Sequence, residues 1–250
     1  TPTPSSAASD VYKRQMMEMV IFGTISYDDI ETPSEKASGV LGGSATHSGL
    51  ASSFHLRPPP GHSPRIGVVS AVGEDFSTYH QMVLEDAGMN LAGVALRKGE
   101  TSTRSVRFTE TMSRSEITNT NMNVLEEFIP VLPKAWAAPD VLLCASSMPR
   151  MQIEVLKQCP DAKINALDTS KIWIEEEFED LSRAMRMVDV VVLEEEDAKA
   201  ISGEKVLTQS ISSIISGEAL HGGTAAGPGP RSIIIKEEVV ESSRISPAGL

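Results

Sequence analysis

Short apolar runs separated by longer amphipathic stretches constrain this chain more than any other feature. Val20–Phe22, Ile66–Val69, Val141–Leu143, Ile164–Leu167, Val188–Leu193 and Ile233–Ile235 are rich in Val, Ile and Leu. Runs of that length and composition fit strands covered on both faces, as in a parallel sheet. Between them lie helical patterns at Ser44–Ser53, Thr78–Ala87, Met151–Gln158, Glu175–Met187, Glu195–Ile201 and Leu207–Ile215. The alternation predicts an α/β fold: a doubly wound, mostly parallel sheet with helices on both faces.

Two segments depart from the alternation. Residues 25–40 and 95–123 interleave Thr, Ser and Arg with Val and Phe, as in TSTRSVRFTET, and read as partly exposed β structure. Two Pro-rich loops, RPPPGHSP after Leu56 and HGGTAAGPGP at His221–Pro230, read as surface connections, because proline fixes φ and removes backbone donors. There is no internal repeat.

The 250 residues suffice for one sizeable α/β domain with a small lid. A net charge of −12 argues against nucleic acid and anionic membranes as partners, since both select basic patches. Cys144 and Cys159 form no CxxC pattern and read as buried thiols. No apolar run reaches the roughly 18 residues of a membrane span, so the expectation is a cytoplasmic enzyme. The five histidines form no HExxH or paired metal motif. A nicotinamide dehydrogenase is excluded because no GxGxxG follows a predicted strand.

The chemistry concentrates in VIFGTISYDDIETPSEKASGVLGGSATHSG, residues 20–49. A strand ends at the Gly23 turn, an acid follows at Asp28, and Gly42 and Gly43 open a helix of small residues. A carboxylate at a strand mouth can accept bonds from hydroxyls, and paired glycines at a helix start let a ligand approach the backbone. The combination fits a small polyhydroxylated molecule.

This segment resembles the amino-terminal signature of the ribokinase-like (PfkB) sugar and nucleoside kinases. The resemblance continues through VGEDF (Val72–Phe76), LDTSKIWI (Leu167–Ile174) and DVVVLEEEDAKAISGE (Asp189–Glu204), covering Met19 to Lys236. It implies that Asp28 accepts hydrogen bonds from the substrate hydroxyls, with Asp29 its nearest competitor, and that Gly42 and Gly43 serve as hinge and floor of the site. His47 falls where many relatives face the sugar, although a lone histidine is as readily a solvated residue. Gly73, Glu74 and Asp75 would support the substrate side structurally. The segments at 25–40 and 95–123 would form a β lid that expels water on closure. Of its residues, Thr101, Thr103 and Ser105 would share one face, and Arg104 or Arg107 could neutralise phosphate or merely solubilise the ribbon.

Three further phrases, NTNMNVLEEFIPVLP, SSMPRMQIEVL and LDTSKIWIE, resemble one bacterial-type branch of these kinases. They place Asn123, Gln152 and Asp168 at the pocket border, with Asp168 at a strand end where ligands gather in open sheets, and Trp173 as a packing residue. The implied cofactors are ATP and Mg2+. Glu194 and Asp197 stand where relatives carry Asn-x-x-Glu, so they would hold magnesium through water rather than directly. Lys236 would belong to the nucleotide side. The implied partner is a sugar or nucleoside, and free lid edges would favour a homodimer.

Departures gather toward the carboxyl end. Glu238 and Glu241 stand at expected glycines, and the family's Gly-Ala-Gly-Asp loop does not occur in the sequence. That loop supplies an anion hole at a helix start and the aspartate that takes the acceptor's proton. Without it, the resemblance implies a fold with the sugar side intact and no catalysis, incomplete at its carboxyl end. The alternative is a non-catalytic sugar-binding or regulatory module. At the other end, SSAASDVYKRQ (Ser5–Gln15) resembles the translation of a transposase sequencing adapter, so residues 1–15 are expected to be non-native, with residues 16–250 forming a partial kinase domain.

Overall fold

The computed structural model describes residues 17–110, 115–221 and 227–236. The adapter-like segment, Glu238, Glu241 and the middle of the His221–Pro230 loop lie outside the described residues.

Two sheets organise the chain. Strands β1 (Met19–Phe22), β4 (Ile66–Gly73), β5 (Met89–Arg97), β8 (Val141–Cys144), β9 (Ile164–Asp168), β10 (Val190–Glu194) and β11 (Ser232–Lys236) form the larger one. Their order is β11-β10-β9-β8-β1-β4-β5, and every neighbouring pair is parallel. The chain therefore winds outward from β1 through β4 and β5, then returns to build the other half from β8. That reversal beside β1 is the switch point at which open α/β sheets leave a crevice at the carboxyl ends of their strands.

Side-chain alternation along β1 shows why both faces are covered. Val20 and Phe22 enter one core with Leu142, Met151, Leu181, Ala198 and Ile214. Ile21 enters a second core with Ile25, Ala45, Ile66, Leu84 and Met89. Helices α1 (Ser44–Leu56) and α2 (Thr78–Asp86) thus cover one face. Helices α3 (Pro149–Gln158), α5 (Phe178–Met185), α6 (Glu195–Ser202) and α7 (Leu207–Ser216) cover the other. Strand β4 is buried at every position, which is why its sequence is apolar apart from Ser70, whose hydroxyl donates to Gly23 O at 2.8 Å.

The smaller, mixed sheet contains β2 (Ser26–Glu31), β3 (Lys36–Gly42), β6 (Ser102–Phe108) and β7 (Ser115–Asn121), in the order β3-β2-β6-β7. It takes in most of the two segments expected to form the lid, with one shift of boundary. Residues 89–97 form β5, paired in parallel with β4, so the second lid segment begins at Ser102 rather than at Ala95. The expected helix over Glu175–Met187 is two helices, α4 (Lys171–Glu176) and α5, because Glu177 takes φ −132 between them. Trp173, on α4, is buried in the core. Cys144 and Cys159 are free and buried, and burial pushes both thiols upward, Cys159 to about 11.

Candidate functional site

Glycine and short hydroxyl side chains knit the carboxyl mouth of β1 to its surroundings. A side chain at Gly23 would place its Cβ 2.5 Å from Ser44 Oγ, so only glycine lets the strand end meet the start of α1. Thr24 N donates to Ser44 Oγ at 3.0 Å, and Ser44 N donates back to Thr24 Oγ1 at 2.9 Å. Ser44 Oγ donates to Ser146 O at 2.7 Å, which ties in the end of β8. Ala45 N donates to Thr24 O at 2.9 Å. The first amides of α1 are thus partly occupied by Thr24.

Asp28 projects from β2 beside this mouth and is 3 % exposed. Its Oδ1 accepts from Ser26 Oγ at 2.7 Å, and its Oδ2 accepts from Arg104 Nη2 at 2.6 Å. The parallel register of β2 with β6 sets Asp28 opposite Arg104, 76 positions later. Each carboxylate oxygen has two lone-pair directions, so one protein partner apiece leaves capacity for further donors. Arg104 Nε is buried without an acceptor. Arg107, by contrast, pairs with the exposed Glu31 on the lid surface.

The two glycines act on different neighbours. A Cβ at Gly42 would lie 2.4 Å from the Asp28 carboxylate, so Gly42 is the surface against which that group packs. Gly43 caps α1 at φ 101, and a Cβ there would sit 2.3 Å from Thr24 O. His47 is exposed on the first turn of α1.

The VGED phrase anchors the lid. Asp75 Oδ1 accepts from Thr101 N at 2.8 Å and from Thr101 Oγ1 at 2.7 Å. Thr101 Oγ1 in turn accepts from Gly73 N at 3.0 Å. Thr101 is fully buried and precedes β6, so it is a root of the lid rather than part of an exposed face. Asn123 follows the lid with φ 48, and its Nδ2 donates to Thr101 O at 2.9 Å. A non-glycine residue in that region is uncommon, and asparagine tolerates it best.

A second group lies at the carboxyl ends of β9, β10 and β11. Lys236 Nζ is 3.1 Å from Asp168 Oδ1 and 3.9 Å from Glu194 Oε1. Asp197 is buried on α6, and its carboxyl is pushed up to about 6, first by burial and then by the charge of Glu194. The nearby Lys236 opposes that rise. The structure therefore brings Asp168, expected on the substrate side, onto Lys236, expected on the nucleotide side. Among the described residues, no three His, Cys, Asp or Glu side chains are placed to hold a metal ion directly.

Sequence reasoning singled out Gln152 at the pocket border but missed how it joins these clusters. Gln152 is fully buried and its Nε2 reaches Ala145 O at 3.1 Å and Asp168 O at 3.0 Å, so it straps two strand ends together. Its Oε1, Thr46 Oγ1, Ser147 Oγ and Thr169 Oγ1 are buried without a protein hydrogen-bond partner. Ser147 lies three residues past the end of β8 and Thr169 directly follows β9, beside the switch point. The hydroxyl residues just past VLLC and INALD were the available signal.

Comparison by sequence finds no matching family model and no matching curated protein. Comparison of structures finds ribokinases and adenosine kinases. A ribokinase from Giardia lamblia superposes with a TM-score of 0.67 at 15% identity, covering 88% of this chain and 68% of that one. An adenosine kinase from Anopheles gambiae, crystallised with P1,P4-di(adenosine-5) tetraphosphate, gives 0.65 at 14% identity over 88% of this chain and 77% of that one. A ribokinase from Cryptococcus neoformans in complex with ADP gives 0.66 at 12% identity, covering 88% and 73%. At these identities the likeness establishes the ribokinase-like fold.

Proposed function

We propose that this chain carries the acceptor side of an ATP-dependent sugar or nucleoside kinase and that the 250 residues themselves transfer no phosphoryl group. The observation that carries the reading is the buried Asp28 carboxylate at the root of the lid, packed on Gly42 and beside the Gly43 helix start. Asp28 would accept from adjacent hydroxyls, Gly42 and Gly43 would give close approach, and Asn123 would hold the lid's return strand against its root. His47 and Asp168 complete the acceptor assignment, His47 from α1 and Asp168 from the end of β9. The lid sheet would exclude water that competes as phosphoryl acceptor.

The nucleotide side fits less well. Glu194, Asp197 and Lys236 sit together, and hard oxygen ligands can hold Mg2+ through water. Yet Lys236 is already paired with Asp168, and Glu194 adds negative charge where phosphates would lie. No Gly-Ala-Gly-Asp occurs to stabilise charge on the transferring group. No step is therefore assigned to bound nucleotide.

A coupled ADP-release assay over ribose, fructose and adenosine, run beside calorimetry with the same acceptors, tests both halves. The expected result is saturable acceptor binding, lost in Asp28→Ala, with no ADP release. Turnover that Asp28→Ala abolishes would overturn the inactivity. Binding that Asp28→Ala leaves intact would overturn the site. The missing motif also favours a non-catalytic sugar-binding module. A transcript that continues in frame past the Lys236 codon into Gly-Ala-Gly-Asp would decide for the enzyme, and a verified stop after Leu250 for the module.

A further inference from the structure

At the amino-terminal ends of β9, β10 and β11, opposite the carboxyl mouth, lies a cavity of about 670 Å3. That volume is in the range of small-molecule sites. Its lining includes Lys157 from α3, Arg183 from α5, Arg186 and Asp189 from the link to β10, Asn165 at the start of β9, and Arg231 before β11. Four cations thus meet one carboxylate in a protein whose net charge is −12.

The local pairing leaves this surface receptive to an anion. Asp189 is held by Asn165 N at 3.0 Å and lies 3.7 Å from Arg231 Nε, so its contact with that guanidinium is loose. Arg231 is 86 % exposed at its side chain. Lys157 and Arg183 pair with Glu154 and Asp180 only across single helix turns, contacts of small net worth. Arg186 donates to Gly217 O at 3.0 Å and Leu220 O at 2.8 Å, which fixes the guanidinium in place.

Two buried atoms lack protein partners on residues of this same lining. Arg186 Nε is a donor without an acceptor, and Asn165 Oδ1 is an acceptor without a donor. Buried polar groups are ordinarily satisfied. An acceptor would answer the first and a donor the second, and a molecule carrying both an anionic group and hydroxyls supplies both. Arginine forks match phosphate oxygens in pairs, and a dianion uses several cations where a monocarboxylate would not.

We propose that this cavity binds a small phosphate monoester bearing free hydroxyls. Lys157, Arg183 and Arg231 hold the phosphate, and Asn165 Oδ1 accepts from a hydroxyl. The site is separate from the acceptor groups at the other end of the sheet, because a five-residue strand such as β9 sets its two ends roughly 13 Å apart.

Calorimetric titration of the whole 250-residue chain with ribose 5-phosphate, with ribose and inorganic phosphate as separate arms, tests this. Saturable ribose 5-phosphate binding is expected, weakened at least about tenfold in Lys157→Glu/Arg231→Glu and still saturable in Asp28→Asn, which removes only the contribution of the acceptor site. Inorganic phosphate should bind more weakly, and ribose should be unaffected by the charge reversals. Asn165→Leu, which keeps every cation, should erase the advantage of ribose 5-phosphate over inorganic phosphate. Absence of saturable binding, or binding lost in Asp28→Asn and kept in the charge-reversed protein, would overturn the proposal. So would an unchanged ribose 5-phosphate advantage in Asn165→Leu should the double variant fail to fold.

Discussion

Asp28 and Arg104 meet only because a parallel register carries two distant strands into pairing, and the contact gives Asp28 a dual character. Its carboxylate is a structural ion-pair partner as well as a candidate hydroxyl acceptor. Asp28→Asn keeps the shape and removes the charge. It should lower acceptor affinity at least about tenfold in calorimetry and cost roughly 1–3 kcal/mol of stability, since hydrogen bonds to charged groups are worth about that much. An unchanged affinity for ribose, fructose and adenosine would remove Asp28 from the site. The neighbouring glycines should separate by what their added Cβ would strike. At Gly42 the obstacle is the end of a side chain, whereas at Gly43 it is the Thr24 carbonyl, with φ 101 in addition. Gly43→Ala should therefore melt well below Gly42→Ala, the latter losing about 1–3 kcal/mol as overpacking typically does. Equal melting temperatures would count against this division of roles.

The carboxyl ends of β9, β10 and β11 form an element-scale electrostatic unit, and Asp197 on α6 reports on it. Its folded pKa is raised to about 6, so the protonated form is favoured by folding and ionisation works against it. The stabilising contribution is complete below the ordinary value of 3.8 and is lost as pH rises through about 6. Asp197→Asn should erase that slope, and chemical denaturation between pH 4 and 7 measures it. Parallel pH profiles for the two proteins would show that the carboxyl is already ionised in the fold. Elements of this kind were unevenly legible in sequence. Buried parallel strands such as β1, β4 and β10 announced themselves as apolar runs, because both faces must be covered. Strand β5 did not, because at the sheet margin only Met89 and Gly93 of MNLAGVALR are buried and the remaining positions are half-buried or exposed. The Gly42–Gly43 helix start could be read from the sequence, whereas Asp28 was singled out by the family resemblance and lies within β2. The Arg104 and Lys236 contacts could not, since each depends on register across strands far apart in the chain. Gln152 was legible as a helix residue but not as the strap between β8 and β9, for the same reason.

Solubility and folding stability should respond to pH in opposite directions across the whole molecule. The net charge of −12 at pH 7 provides repulsion between copies, and it vanishes near the isoelectric point of about 4.9. The same acidification protonates Asp197 and relieves its buried charge. Among the described residues, β11 and β5 are the two margins of the larger sheet, with Ile234 54% and Leu96 72% exposed. Unpaired strand margins bearing apolar side chains are templates for pairing with another chain, and inserted lysine suppresses it. Light scattering should therefore rise as pH falls from 7 toward 5 while the denaturation midpoint holds or improves. Ile234→Lys should reduce the scattering several-fold at a given protein concentration without moving the midpoint by more than about 0.5 kcal/mol, as expected of a surface substitution. If Ile234→Lys scatters like the parent, association runs through another surface, and the lid margins β3 and β7 become the place to look. If scattering instead tracks loss of the folded state, the margin strands are not its cause, and instability of the sheet itself is.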